Sequence, residues 1–327
     1  MIICKTPYRI SLFGGGTDYP QWYSKYGGEV ISSTIDKYIY ISIRKLPPFF
    51  EHKHRIVWSK IEKVKKTNDI KFSVIKKLLL NLKIKEGMEI HYDGDLPARS
   101  GMGSSSSFAV GLLNAFSVFQ KLRVNKKNLA KKSIFFEHKI LKEMVGIQDQ
   151  IAATYGGFNS IKILKSGKFV VTKLINNQND LDQIGKRFFL VYTKISRTAN
   201  NIAETYVNKL TGKKKENMRR IAENVKDFKN ILQRKKYDEI GPLLHKSWME
   251  KKKLSNAVSN KSIDSIYNDG IKSGATGGKI LGAGGGGFIL FYVPLKNQKK
   301  FKKHNKKKLI IPFKFNNQGS KIIFKDR

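Results

Sequence analysis

Eleven residues, PARSGMGSSSS from Pro97 to Ser107, constrain this chain more than any others. They run into SSSSFAVGLLNAFSVFQ, Ser104 to Gln120, which is apolar on nearly every face after its polar start. That pattern predicts a buried helix with serines at its N-terminal cap. Glycines just ahead of a helix let the backbone come close to a ligand, and the helix start offers unpaired N–H groups and a positive dipole end. The combination suits a phosphate, and a serine hydroxyl could also reach a metal ion. The plainer alternative is a serine-capped helix after a turn. An ordinary P-loop needs a lysine ahead of the Ser/Thr, and none stands here. A dinucleotide fold would want a third glycine where Ser106 stands and a βαβ unit around it, and it has neither.

Two more loops are rich in glycine. GGKILGAGGGGF, Gly277 to Phe288, satisfies G-x-G-x-x-G at Gly282, Gly284 and Gly287, but a strand follows instead of a helix, so no dinucleotide site is expected. So many glycines imply close backbone packing, either a tight strand connection or a ligand wall. In PYRISLFGGGTDYP, Pro7 to Pro20, a strand delivers Arg9 and ends at Gly14–Gly16 before Thr17, Asp18 and Tyr19. Charged and hydroxyl groups at a strand end suit sugar recognition, with Asp accepting from vicinal hydroxyls. Standing alone, this loop is better read as a surface turn capped by Asp.

The length of 327 residues suggests two domains, and 40% hydrophobic residues fill sizeable cores. Strands are expected at RISLF, Tyr38–Ile43, Arg55–Ser59 and Met88–Tyr92, with a turn at Pro47 and Pro48. Helices are expected at Asn128–Glu143 and in GIQDQIAATYGG. After about residue 165 the style changes. A strand at Phe188–Thr193 precedes helical stretches at Thr198–Leu210, Lys214–Arg234, Glu239–Ser255 and Ser262–Lys272. Strands at Lys279–Leu281 and Phe288–Val293 flank the glycine run, and LIIPFKF and KIIF close the chain. The order fits two α+β lobes, divided as residues 1–175 and 176–327.

Cys4 is the lone cysteine, so neither an internal disulfide nor a zinc site is expected. With no signal-peptide pattern and no membrane-length apolar run, the chain reads as cytoplasmic, without membrane insertion. The net charge of +39 would normally suggest a polyanion partner. Of the 64 basic residues, however, 53 are lysine, spread from Lys5 to Lys325 among Asn and Ile. That is a composition bias. Trp58 reads as a core residue, with stacking on adenine as the alternative.

Together the three loops resemble those of the GHMP kinases, which include galactokinase, homoserine kinase, mevalonate kinase and phosphomevalonate kinase. The family's PxxxGLGSSAA is similar to PARSGMGSSSS, its C-terminal loop resembles KILGAGGGGF, and the galactokinase PGRVNLIGEHTDY is similar to PYRISLFGGGTDY. A glutamate followed by GxxDQ matches Glu137 and GIQDQ, with Asp149 twelve residues beyond Glu137. The resemblance implies a two-lobed α+β fold. Its N-terminal, ATP-binding lobe would be like ribosomal protein S5 domain 2, its C-terminal lobe ferredoxin-like, and the site would lie between them. It also implies ATP and Mg²⁺. It places Pro97, Gly101, Met102, Gly103, Ser104, Ser105, Ser106 and Ser107 around the triphosphate, and Ser105 and Glu137 on Mg²⁺. Asp149 matches the carboxylate that orients or deprotonates the acceptor hydroxyl, with Arg9 beside it as the second catalytic residue. Thr17, Asp18, Tyr19, Gly284 and Gly285 would surround the substrate. Phosphoryl transfer needs charge neutralisation and an in-line hydroxyl more than covalent help, which these residue types can supply.

One departure is informative. Galactokinases carry Glu-His where this chain has Gly15-Gly16, so a negative charge and a large side chain are missing from the substrate end. A longer or anionic sugar should fit better than galactose. GGG before TDY, with GIQDQ and ATYGGFN, looks most like the bacterial branch acting on D-glycero-D-manno-heptose 7-phosphate. That branch phosphorylates the anomeric hydroxyl on the way to nucleotide-activated heptose for surface polysaccharide, lipopolysaccharide or capsule. Kinases of galactose, fucose or glucuronate are the alternatives. A basic RNA- or DNA-binding protein is the reading from outside the enzymes. It lacks support, because there is no RNP-type aromatic motif or arginine-rich stripe, so no nucleic-acid partner is expected.

Overall fold

The computed structural model describes residues 1–195 and 199–326. Thr198, the expected first residue of the helix Thr198–Leu210, lies outside the described residues, as do Ser196, Arg197 and Arg327. Within that stretch a short helix, Ala199–Glu204, and a 3₁₀ turn, Val207–Lys209, stand in place of one continuous helix.

The first lobe is built on a nine-stranded sheet whose main path runs 321–325, 2–13, 28–45, 88–94, 54–57 and 61–64. The 18-residue strand Gly28–Lys45 is its spine, pairing with 2–13, 88–94, 158–163 and 315–316. All pairings are antiparallel except that of 54–57 with 88–94. The strand Ile2–Phe13 alternates in burial up to Lys5 and is buried continuously from Thr6 onward. Continuous burial of a strand means that both faces are covered. The helix Ser104–Phe119 supplies part of that cover, with most of its residues buried. It approaches closely because of Gly111, where a Cβ would lie 2.8 Å from Thr6 Oγ1 and 2.9 Å from Ile41 Cδ1.

The expected helix Asn128–Glu143 divides into an α-helix, Lys126–Phe135, and a π-helical segment, Phe136–Leu141, which ends at Lys142 in the left-handed region. Such π segments concentrate at functional sites, and this one carries Glu137.

The second lobe has a four-stranded antiparallel sheet in the order 310–311, 188–192, 288–292, 277–280. Numbered along the chain, that is 4-1-3-2. Helices follow the first strand and precede the last, giving the ferredoxin-like β-α-β-β-α-β arrangement. The largest of the cores spans both lobes, and the ring of Phe228 of the second packs, tilted, against Phe13 of the first at 4.7 Å between ring centres. The end of the chain departs from the expected division at 175/176. Phe315–Asn316 pairs with the spine strand and Lys321–Lys325 with Ile2–Phe13, so the tail completes the first sheet. An edge strand leaves backbone groups unpaired, and the returning tail covers that edge.

Candidate active site

A cleft of about 580 Å³ is lined from both lobes. Arg9 enters it near the end of its strand, 4% exposed. Its Nε and Nη2 donate to the two carboxylate oxygens of Asp149 at 2.7 and 2.6 Å, and its Nη1 donates to the carbonyl of Gly101 at 2.7 Å. Asp149 sits in the first turn of the helix Gln148–Tyr155 and keeps part of its carboxylate open to the cleft.

Asp18 faces the same space and is almost wholly buried. Its carboxylate accepts from the backbone N–H groups of Gly16 at 3.0 Å and Gln148 at 3.3 Å. Burial pushes its titration up, and the neighbouring charge of Asp149 adds to that. Tyr19 lines the cleft, but Thr17 does not. The Thr17 hydroxyl turns inward to the carbonyls of Gly14 and Glu29, which makes it a brace for the loop and not a substrate contact as expected.

The glycine-serine loop presents Gly101, Gly103, Ser104, Ser105 and Ser106 to the cleft. Gly103, at φ 72°, occupies the cap of the helix. Three residues of this loop that were expected at the triphosphate stand away from the cleft. Pro97 is on the outer surface and Met102 is packed in the core. Ser107 has spent its hydroxyl on Pro7 O and its N–H on Gly103 O.

The crowding of glycines in Gly277–Phe288 now has a physical cause. A Cβ on Gly282 would come 2.6 Å from Gly101 Cα, and one on Gly287 would come 2.2 Å from Ser100 O. The two glycine loops therefore touch backbone to backbone, joined by Phe288 N–H donating to Ser100 O at 3.2 Å. Gly284 lines the cleft. Gly285 does not: its N–H bonds Val258 O at 2.8 Å and its Cα faces Ile202, so the substrate contact expected there is absent.

Glu137 is fully buried behind the loop. It accepts from Gln150 Nε2 and, at 2.9 Å, from the hydroxyl of Ser106. The expected metal pair is thus not in contact, since Ser106 and not Ser105 reaches Glu137, while Ser105 points to the cleft. Burial, reinforced by Glu143, pushes Glu137 up to about 8. Its Oε1 has no partner among the described residues. An orphaned carboxylate oxygen beside serine hydroxyls is an all-oxygen donor set, which fits Mg²⁺.

Several more cleft residues come mostly from outside the three glycine loops. Trp58, Phe72, Phe108 and Tyr92 form an aromatic wall, with Trp58 on Phe72 at 4.6 Å and Phe72 parallel to Phe108 at 5.2 Å. Trp58 is therefore part of the cleft as well as of the packing around it. Lys251 and Lys279 line the second-lobe side. Lys279 could have been noticed as a charge within the buried strand Gly277–Ile280. Lys251, inside a run of three lysines, gave no signal.

The fold and the cleft define a phosphotransferase built on a glycine-serine loop at a helix start. Residues 68–157 match the GHMP kinases N terminal domain and residues 208–310 the GHMP kinases C terminal. Among curated proteins, the D-glycero-alpha-D-manno-heptose 7-phosphate kinase of Campylobacter jejuni is 32% identical over 97% of both chains. The mevalonate kinase of Methanocaldococcus jannaschii is 26% identical over 92% of this chain and 95% of its own. A solved D-glycero-D-manno-heptose 1-phosphate kinase from Bacteroides thetaiotaomicron superposes over the whole of both chains at a TM-score of 0.80, with 23% identity. The chain belongs to the GHMP kinase family. It is an ATP-dependent kinase that transfers phosphate to an alcohol acceptor, and GHMP kinases use ATP with Mg²⁺.

Proposed function

We propose that the acceptor is a sugar phosphate, D-glycero-D-manno-heptose 7-phosphate, phosphorylated at its anomeric hydroxyl in the cytoplasm to supply nucleotide-activated heptose for surface polysaccharide. The observation that carries this reading is Gly15 in the cleft lining, beside Asp18, where galactokinases have an acid. The full-length similarity to the Campylobacter enzyme supports it.

In this reading Asp149 accepts the proton of the attacking hydroxyl, and Arg9 holds that carboxylate in place. Asp18 accepts a hydrogen bond from a sugar hydroxyl, with Tyr19 and Gly284 shaping the wall. The N–H groups at the start of the helix Ser104–Phe119 and the backbone of Gly101–Gly103 receive the phosphates, and the aromatic wall takes the adenine. Ser105 and the free oxygen of Glu137 would hold Mg²⁺, which would neutralise phosphate charge when bound. Residues 1–175 with the returning tail make the nucleotide lobe, and the intervening second-lobe residues close the acceptor end.

The test is a panel of sugars and sugar phosphates with ADP detection, the product's phosphate being located by ³¹P NMR. The expected best substrate is heptose 7-phosphate, with the new phosphate on the anomeric carbon. A neutral sugar preferred by about tenfold or more, roughly 1.4 kcal/mol, overturns the choice of acceptor and leaves the kinase intact.

A further inference from the structure

The acceptor end of the cleft holds three cations, Arg9, Lys251 and Lys279, and two carboxylates, Asp18 and Asp149. Their pairing is uneven. Arg9 and Asp149 satisfy each other, and Asp18 is held by backbone N–H groups. Neither lysine forms an ion pair, since no carboxylate of the described residues lies within 4.0 Å of either ammonium. Lys279, 4% exposed, donates to Leu12 O at 2.9 Å. Lys251 donates to Ile280 O at 3.3 Å and to Gly282 O. An ammonium has three N–H donors, so each lysine keeps at least one unused.

Burying one unpaired cation is costly, and two side by side repel as well. Burial, with Arg9 adding to it, draws Lys279 down to about 7, and burial, Lys279 and Arg9 draw Lys251 well below its ordinary range against a smaller opposing pull from Asp18. An anion arriving between them would restore both charges. Capping these carbonyls uses one donor of Lys279 and two of Lys251, so a structural role accounts for only part of each ammonium.

We propose that Lys251 and Lys279 form a phosphate-binding subsite in the second-lobe wall, which holds the phosphate already carried by the acceptor sugar. Ser247, one helical turn before Lys251 and also in the cleft lining, places a hydroxyl on the same helix face. The nucleotide's phosphates have their own station at the helix start of the first lobe. The charges that act on Lys251 are those of Lys279, Arg9 and Asp18, which places it at the acceptor end. The inference rests on the sugar-phosphate reading above. A donor's terminal phosphate has the same chemistry, so the experiment must separate the two sources.

Equilibrium binding of heptose 7-phosphate, unphosphorylated heptose, orthophosphate, ADP and AMP-PNP would be measured by calorimetry on the full chain. The proteins compared are wild type, Lys251→Met and Lys279→Met. Losing a charge-assisted hydrogen bond should weaken heptose 7-phosphate and orthophosphate by about tenfold or more in each variant. Neutral heptose, ADP and AMP-PNP should change by less than about threefold. A loss confined to AMP-PNP would overturn the acceptor assignment and give the lysines to the donor. Unchanged affinities throughout would overturn the subsite. If the wild type binds heptose and heptose 7-phosphate equally, the substrate reading fails, and orthophosphate binding still decides the subsite. Should Lys279→Met fail to fold, for want of a donor to Leu12 O, Lys251→Met carries the same comparison.

Discussion

Arg9 grips Asp149 at both carboxylate oxygens while its remaining nitrogen holds the carbonyl of Gly101. One side chain thus sets the distance between the carboxylate of Asp149 and the glycine-serine loop. A planar guanidinium can serve three acceptors in fixed directions, whereas the flexible ammonium of lysine could not keep that geometry. The strand Ile2–Phe13 also donates Arg9 N–H to Met102 O at 3.1 Å, so the loop is tied by backbone and side chain of the same residue.

Asp149→Asn should lower kcat by ~10²-fold or more, the range of general-base contributions. The amide leaves one oxygen for the buried Arg9 but removes its counter-charge and turns an N–H donor toward it, so stability should fall as well, by about 3 kcal/mol. Steady-state kinetics beside a thermal melt measure both. A near-normal kcat in folded protein would remove Asp149 as the proton acceptor.

The four serines of the loop should separate by role. Ser105→Ala should raise the Mg²⁺ concentration needed for half-maximal rate and leave thermal stability unchanged. Ser107→Ala should do the reverse, losing the bond to Pro7 O and about 1 kcal/mol of stability. Mg²⁺ titrations and melts of the two variants decide this, and overlapping Mg²⁺ curves for Ser105→Ala and wild type would place the metal elsewhere.

Glu137 gives a pH signature in the absence of nucleotide and Mg²⁺. Its titration rises from 4.5 to about 8 on folding. Between those values the folded chain keeps a proton that the unfolded chain has released, so stability falls as pH rises through this window. Glu137→Gln cannot ionise and should lack this component. Its Tm should gain on wild type by several degrees between pH 5 and pH 8. Parallel Tm curves for the two proteins would show that Glu137 does not titrate there.

Gly15→Glu tests the acceptor. Gly15 has no positive φ, and a Cβ there meets only Ser11 Oγ at 3.3 Å, so a side chain fits with a small shift. Gly16, at φ 104° and with Met218 in the way, does not offer the same choice. A carboxylate restored at 15 should repel a phosphorylated sugar by a few kcal/mol where the groups are close and partly desolvated. kcat/KM for heptose 7-phosphate should therefore fall at least ~10-fold further than that for heptose. Equal losses for the two sugars would sever Gly15 from the choice of acceptor.

The sequence by itself determined the family, the α+β class and the loops that build the cleft. Glycines ahead of an apolar helix, a strand ending in GGGTDY and a glutamate upstream of GIQDQ are local patterns, and local patterns dictate local backbone. What each side chain in those loops does was decided only by the tertiary structure. Thr17 and Asp18 are neighbours in the chain, yet one braces the loop from inside and the other faces the cleft. Ser105 and Ser106 are equally hydroxyls, but only Ser106 meets Glu137, which arrives from a π-helical segment that periodicity did not reveal. Lys279 and Lys251 were two among 53 lysines until folding buried the first, half-buried the second and set both in the cleft wall without an ion pair. The return of the tail to the first sheet is not legible in the sequence, because its strands are short and the strands they pair with lie near the opposite end of the chain. Burial and pairing are sums over distant residues, so they exist only once the chain has closed on itself.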